Sequence, residues 1–287
     1  MSEKVKSAPK GGKKPDIATF AGLIVATVGI VGGLLLEGGA IHDIAQYTAA
    51  VIVLGGTIGA VLVSTPMNVV AGAMKRFGGV FIVKSSAPDE VMERIIDYAS
   101  RARRNGIVSL EQEANTIPDP FLKKALNLAV DGTDLQELRR MLELEISLEE
   151  HHAEQQAKVF EAAGGYAPTV GIIGAVMGLI QVMKNLSDID QVGHGIAVAF
   201  VATVYGVGLA NILFLPAANK IKARAHEEMQ MRELVLEGVV GIVEGLNPKL
   251  IRSKLEAFGR QHGKAPAKSE AAKSAPAGAT PEPQAEG

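Results

Sequence analysis

The chain contains no cysteine and no tryptophan, and only 4% of its residues are aromatic. The absence of cysteine excludes disulfide scaffolds, thiolate zinc sites and cysteine nucleophiles. The scarcity of aromatic residues leaves little of the belt that anchors many proteins at the membrane surface. With 29 Lys and Arg against 31 Asp and Glu, the net charge of −2 gives no basis for nucleic-acid binding.

Charged side chains are also missing from four long stretches of the chain. Ile17–Leu36, Ile44–Met74 and Ala162–Met183 hold none, and Gln191–Asn219 holds only His194. A bilayer core needs roughly 20 apolar residues per helix. The sequence therefore predicts an all-α membrane protein with four transmembrane helices. The alternative for the first two stretches is a buried hairpin in a large soluble core.

These stretches divide the chain into eight predicted segments. They are a disordered cytoplasmic leader at 1–16, transmembrane helices at 17–36, 44–66, 162–183 and 193–217, a cytoplasmic helical block at 67–161, a cytoplasmic helical tail at 218–260 and a disordered tail at 261–287. The polar leader and the length of the first apolar run argue against a cleaved signal peptide. The helices before span three and after span four are predicted to extend those spans, so two long helices project into the cytoplasm.

Lys and Arg predict the orientation of the spans. The leader holds five of them, the middle block about a dozen and the tail after Asn219 about eleven. The two short connections, Glu37–Asp43 and Lys184–Asp190, hold only Lys184. Both termini and the block are therefore expected in the cytoplasm, with the chain in a bilayer.

The cytoplasmic block has helical periodicity with Ser86 and Ser109 as predicted N-caps. The adjacent pair His151 and His152 could suggest metal ligands. Neighbouring helical residues, however, point about 100° apart, and the H-E-x-x-H spacing is absent. A phosphate-binding loop is also absent, so neither a metal site, a cofactor nor an enzymatic activity is predicted.

Small residues recur at helical spacing in the last two spans. Span three carries Gly171, Gly174 and Gly178 on one face, and span four carries Thr203 and Gly206 on another. Such faces let helix backbones approach closely in lipid. Two interpretations stay open, ordinary helix packing and the wall of an ion pathway.

No Asp, Glu, Lys or Arg lies inside a predicted span, although such residues normally mark intramembrane ion pathways. If the chain conducts protons, another polypeptide must supply the carrier carboxylate. Thr203, near the middle of span four, could line a water wire or bond to that carboxylate. The alternative is a hydrogen bond from its hydroxyl to the carbonyl four residues earlier.

Two prolines lie near the cytoplasmic ends of the last two spans, Pro168 in span three and Pro216 in span four. Each removes a backbone hydrogen bond and can kink its helix. The pair is interpreted either as benign prolines at helix ends or as hinges that couple the bilayer to the cytoplasmic helices.

Three motifs, in their order and spacing, resemble the MotA/TolQ/ExbB proton-channel family and, within it, the flagellar motor stator A subunits. They are Arg103–Glu111, Pro168–Gly178, and Ala199–Gly206 leading to Pro216. The resemblance extends over about residues 16–258.

This resemblance implies a homopentamer around a dimer of a MotB-type partner, whose single helix carries a protonatable Asp. Ion flow then turns the ring against the rotor switch protein FliG. Carried over by position, Arg103 and Glu111 match charged rotor contacts, Pro168 and Pro216 match hinge prolines, and Thr203 matches the hydroxyl that faces the partner's Asp.

The resemblance also bears on the ion and on rival functions. Sodium-driven members carry a second Thr on span three where this chain has Ala175, so protons are expected as the transported ion. The ExbB/TolQ branch, with one span before its cytoplasmic block instead of two, is the nearest alternative function. A non-conducting membrane scaffold is another, and a secondary transporter would need broken mid-membrane helices.

Overall fold

The computed structural model describes residues 13–84 and 88–261, and almost all of this part is helical. It also contains two short strands, β1 (Lys13–Pro15) and β2 (Ile82–Lys84), which pair as an antiparallel ribbon. The described chain is nearly all-helical, as predicted, and this ribbon is the exception, because three-residue strands are too short to give a sequence pattern. β1 also places order at the end of the segment predicted as a disordered leader. The prediction for Ser86 and for the tail beyond Gln261 lies outside the described residues.

The described helices range from four to 50 residues in length. The two longest, Leu135–Lys184 and Leu215–Val243, are called the rods below. In chain order, the described helices are α1 Ile17–Leu36, α2 Ile41–Ile44, α3 Tyr47–Ser64, α4 Met67–Val80, α5 Pro88–Asn105, α6 Glu111–Ala114, α7 Pro120–Val130, α8 Leu135–Lys184, α9 Ile189–Gly208, α10 Leu215–Val243 and α11 Pro248–Gln261. A 3₁₀ turn, Ile107–Leu110, precedes α6. A π-helical segment, Leu209–Phe214, joins α9 to α10 without a break.

Four helical stretches of the described chain are long and apolar enough to cross a membrane, as the sequence predicts. They are Ile17–Leu36, Ile41–Ser64, Leu135–Lys184 and Ile189–Val243. At 1.5 Å per residue, the 50-residue helix α8 is about 75 Å long, more than twice the hydrocarbon thickness of a bilayer. The more charged N-terminal half of α8 must therefore continue outside the membrane.

Local sequence signals explain where the long rods begin. Asp134 caps α8, and its carboxylate accepts hydrogen bonds from the backbone N–H groups of Gln136 and Glu137. The predicted cap at Ser109 is wrong, because its hydroxyl donates to the Gly106 carbonyl within the 3₁₀ turn, at 2.6 Å. α6 begins without a side-chain cap.

The largest apolar core lies outside the spans. It is built from helices that precede the α8–α9 hairpin in the sequence and from helices that follow it. α5, α7 and the first turns of α8 pack there on the end of α10 and on α11. Its fully buried members include Ile95, Leu126, Leu142, Val239 and Ile251. The segments predicted as separate block and tail therefore share one core, which ties the ends of both rods together.

Candidate functional site: the helix pair of spans three and four

The backbones of α8 and α9 touch along a row of glycines. A Cβ atom placed on Gly206 would lie 2.5 Å from the Ala167 carbonyl oxygen and 3.1 Å from the Gly171 Cα. A Cβ atom on Gly178 would lie 2.7 Å from the Gly195 carbonyl oxygen. Only hydrogen fits at these positions, so the small faces seen in the sequence form a close-packed helix pair.

Gly174 has a different neighbour from the other glycines on its face. A Cβ atom there would lie 2.7 Å from the Ala202 Cβ and 3.3 Å from the Ile52 Cγ2, so α3 joins the pair at this level. Further along α9, the hydroxyl of Tyr205 donates a hydrogen bond to the Ile44 carbonyl before α3 begins. Three of the four candidate spans therefore pack together as one unit.

Thr203 lies half-buried on α9, and its hydroxyl donates to the Ala199 carbonyl at 3.2 Å. This is the local hydrogen bond that the sequence left open as an alternative. The bond uses the donor of the hydroxyl, and the oxygen can still accept. A Cβ atom on Gly171 would lie 3.5 Å from the Thr203 Cα. Ala175, also half-buried, follows Gly171 by one turn of α8, so it and Thr203 lie on adjoining turns of the pair.

The two candidate hinge prolines occupy different backbone settings. Pro168 lies inside the continuous helix α8, whereas Pro216 is the second residue of α10, directly after the π-helical segment. Proline lacks the N–H that would bond to the carbonyl four residues earlier, and its ring crowds that carbonyl. The wider π turns before Pro216 relieve this crowding, and such turns are frequent at functional sites. The proline itself was the available sequence signal for this segment.

Ionisable groups are sparse in the apolar stretches 17–36, 44–66, 162–183 and 193–217. The buried polar or charged side chains of the described residues are Asp16, just before α1, and Thr57 on α3. His194 is exposed in the second turn of α9. Among the residues that the structure describes, His, Asp and Glu form no group of three that could hold a metal ion. An ion that passes beside the helix pair would therefore meet backbone atoms, methyl groups and one central hydroxyl, that of Thr203.

Arg103 and Glu111 are both exposed, one in the last turn of α5 and the other at the start of α6. Neither side chain has an ion pair or hydrogen bond with the rest of the described chain. The nearby Arg101 is engaged, since it pairs with Asp97 at 2.7 Å and with Glu113. The two predicted contact residues thus differ from this neighbour in having charges that stay available to another molecule.

A buried ion cluster at the start of α1 was missed by the sequence analysis. Asp16 caps α1, and its Oδ2 lies 2.8 Å from Lys220 Nζ and 2.7 Å from Arg224 Nη2 on α10. The hydrogen bond from Lys220 is the main cause that holds the pKa of the Asp16 carboxyl far below its usual range, against the upward effect of burial. The four-residue spacing of Lys220 and Arg224 was the only local signal, and it did not identify the carboxylate.

Fold and site together define a multi-pass helical membrane protein. Its long helices α8 and α10 are connected through α9, and the glycine-lined contact of α8 with α9 carries a central hydroxyl and no Asp, Glu, Lys or Arg within residues 162–183 and 193–208. Comparisons with known proteins identify the family within this class. The model of the MotA/TolQ/ExbB proton channel family matches residues 113–234, and that of the motility protein A N-terminal region matches residues 20–106.

Curated relatives match over most of the chain. Motility protein A of Bacillus subtilis (strain 168) is 35% identical over 241 residues, which are 84% of this chain and 89% of the relative. The chemotaxis protein PomA of Vibrio alginolyticus is 35% identical over 243 residues, which are 85% and 95% of the two chains. The chain belongs to the MotA/TolQ/ExbB proton channel family.

Solved structures agree with this assignment. The structure of C. jejuni MotAB matches with a TM-score of 0.80 and 33% identity, over 85% of this chain and 95% of that one. The flagellar MotAB stator complex from Bacillus subtilis matches with a TM-score of 0.78 and 34% identity, over 84% and 95%. The similar proteins are motility and channel proteins rather than enzymes, and the match to the motility N-terminal region favours the flagellar branch over the ExbB/TolQ branch.

Proposed function

We propose that the chain is the ion-conducting stator subunit of a bacterial flagellar motor, which couples inward proton flow to torque on the rotor. One observation carries this proposal beyond the family assignment. The charge-free stretches of the pair, residues 162–183 of α8 and 193–208 of α9, hold the hydroxyl of Thr203 but no carboxylate, so an ion carrier must come from outside the chain. A MotB-type partner with one Asp on its helix supplies that carrier.

The partner stands as a dimer inside a homopentamer of this chain in the inner membrane. Uncovered apolar surface on the spans supports such an assembly. On α8 the side chains of Ile172, Ile173 and Met177 are all more than half exposed. In the bilayer, these faces are left for neighbouring copies, the partner helices and lipid.

The two rods carry torque out of the membrane in this proposal. Both termini and the helical block lie in the cytoplasm, as the distribution of Lys and Arg indicates. The block then presents Arg103 and Glu111 to the rotor protein FliG, and their lack of partners in the described chain supports this role. Pro168 and Pro216, the latter just after the π-helical segment, act as the hinges between bilayer and block.

The proposed ion pathway runs beside Thr203, whose oxygen accepts a hydrogen bond from the protonated Asp of the partner. Ala175, on the adjoining turn of α8, adds only a methyl group. Protons are therefore the proposed ion.

Co-reconstitution with the partner tests the proposal. The chain and its MotB-type partner, together in vesicles with an imposed proton gradient, should take up protons. The same complex with the partner's Asp changed to Asn should not. A complex that assembles but conducts under no condition would favour the scaffold alternative, and uptake by the chain alone would contradict the need for a partner carboxylate.

A further inference from the structure

The two rods are held together by two separate apolar clusters. Toward the spans, the rods and α4 share one cluster, and further out the first turns of α8 and the end of α10 share the core of the helical block. Between the clusters lies the mid-rod section, residues 147–156 of α8 and 222–228 of α10. Ala153 and Ala225 are the only buried residues of this section. Two methyl groups bury little area, so apolar packing contributes little to the contact between the rods there.

Direct ion pairs join the rods on either side of the mid-rod section. Lys222 of α10 pairs with Glu161 of α8 at 2.7 Å, and Arg139 of α8 pairs with Glu237 of α10 at 2.9 Å. Residue numbers fall along α8 as they rise along α10, so the rods run antiparallel. At both of these levels the two rods therefore attract each other without the help of a third helix.

The mid-rod section differs because both rods present a carboxylate to the same point. Arg76 of α4 meets both of them: its Nη2 lies 2.6 Å from Glu149 Oε1 on α8, and its Nη1 lies 3.6 Å from Glu228 Oε2 on α10. Two carboxylates that share one cation repel each other when the cation is removed. Arg76 therefore turns a repulsive contact between the rods into an attractive one.

The fixed position of α4 beside the rods gives the Arg76 side chain a defined place. Ala73 is fully buried, and the rings of Phe77 and Phe160 stack with their centroids 5.2 Å apart. The Arg76 side chain is only 23% exposed, so solvent screens its ion pairs less than those of a fully exposed side chain. Because α4 follows α3 directly after Pro66, Arg76 links the second span to both rods.

We propose that Arg76 is a positioning residue for torque transfer, whose guanidinium holds the two rods together at mid-length so that they move as one body. This inference rests on the proposed function of the chain as a stator subunit. Arg76 acts far from the proposed ion pathway, since its partner Glu149 lies about 39 Å from Ala175 along the continuous helix α8. Loss of Arg76 should therefore reduce torque and leave ion conduction intact.

Proton uptake and torque, measured on the same variants of the full-length chain with its MotB-type partner, test this role. In vesicles, the Arg76→Gln complex should take up protons as fast as the unsubstituted complex. In cells that carry it as their only stator, stall torque should fall about twofold or more, a change that about 0.4 kcal/mol causes in a balance between joined and separated rods. Lys75→Gln removes the same charge from an exposed neighbour on α4 and should change neither quantity. Full torque in Arg76→Gln, or equal losses in the two variants, would contradict the proposal.

Second-site changes separate the electrostatic link from a loss of packing. Glu228→Gln, added to Arg76→Gln, removes the remaining repulsion between the rods and should restore part of the torque. Glu227→Gln makes the same charge change one residue away, where the carboxylate is 66% exposed and bonds to Arg224 at 3.3 Å, and it should restore none. Equal effects of the two second-site changes overturn the proposal.

Arg76→Lys covers the case in which the Gln variant does not assemble. Lysine neutralises carboxylates but lacks the planar fork that reaches both of them, so its complex should lose part of the torque at unchanged proton uptake. Full torque in the Lys variant, or a loss of proton uptake together with torque, would overturn the proposal. An unsubstituted complex that takes up no protons would instead contradict the proposed function itself.

Discussion

Thr203 shows how one side chain can satisfy a local and a functional requirement together. Its hydroxyl donates to the Ala199 carbonyl, which removes the cost of an unpaired donor inside the membrane. The oxygen keeps its capacity to accept a hydrogen bond. The local bond is therefore compatible with a role in the ion pathway, because a protonated carboxyl from a partner needs an acceptor.

Replacing Thr203 with Val removes this acceptor and keeps the shape of the side chain. We expect proton uptake by the complex with the partner to fall about tenfold or more, the loss expected for a hydrogen bond worth at least about 1.4 kcal/mol. Thr203→Ser keeps the hydroxyl and should retain most of the flux. Full flux in the Val variant, at unchanged assembly, would remove Thr203 from the pathway.

Single residues also show what a sequence can and cannot reveal. Thr203 was found because it lies at helical spacing on a small face of a charge-free stretch. The Asp16–Arg224 bond was not found, because its partners are 208 residues apart and each has an ordinary local explanation. Asp16 alone is a good N-cap, and Arg224 alone is a charge on a polar helix. Only the fold brings them together.

At the scale of helices, charge-free length identified the four candidate spans, since a bilayer imposes a strict physical limit on composition. The ribbon of β1 and β2 and the π-helical segment left no comparable trace. Each involves only a few residues, and its hydrogen bonds depend on where the neighbouring helices lie. The close contact of α8 and α9 could be predicted only in part. The sequence showed which faces carry small residues, but it did not show which residues of the two helices lie opposite each other.

The register of these two helices makes Gly206 sensitive to a single methyl group. Gly206→Ala would place its Cβ 2.5 Å from the Ala167 carbonyl oxygen, so the helix pair must separate. We expect a loss of about 1–3 kcal/mol in the free energy of unfolding, the usual effect of overpacking. Thermal unfolding of the purified chain in detergent would measure it.

Gly208→Ala is the matched control on the same helix. Apart from the neighbouring residues and the nearby backbone of its own helix, no atom of the described chain lies within 4 Å of a Cβ placed there. The change should leave stability unaltered or raise it by up to about 1 kcal/mol, because alanine is the better helix former. Equal destabilisation of the two variants would show that the α8–α9 contact is not what limits substitution at Gly206.

Across the whole molecule, the shared core at the ends of both rods determines how movement can travel. α8 and α10 enter the same block, so displacement of one rod must move the other or strain that core. The exposed charges of the block move with it. The surface that could transmit force to another protein is therefore mechanically continuous with the helix pair in the spans.

Arg103→Glu should weaken motility, and a compensating charge change on the rotor protein should restore part of it. Exposed ion pairs contribute only up to about 1 kcal/mol each, so the reversal is a stronger test than neutralisation. Arg104→Glu makes the same charge change one residue away, where the guanidinium bonds to the Ser100 carbonyl. Swimming speed should respond less to it. Equal loss in both variants, or no rescue by any charge-swapped rotor, would assign the effect to the net charge or structure of the block.

The nature of the ion is a property of the whole assembly, because selectivity depends on which oxygens can replace the water around a cation. A sodium ion needs several oxygen ligands at once, whereas a proton needs only a hydrogen-bonded chain and a titratable group. This chain supplies the Thr203 hydroxyl and, on the adjoining turn of α8, the methyl group of Ala175. Swimming should persist in sodium-free medium and stop when a protonophore removes the proton gradient. Speed that follows external sodium at fixed pH would overturn this assignment, and would mean that backbone carbonyls near Gly174 or Gly178 act as the missing ligands.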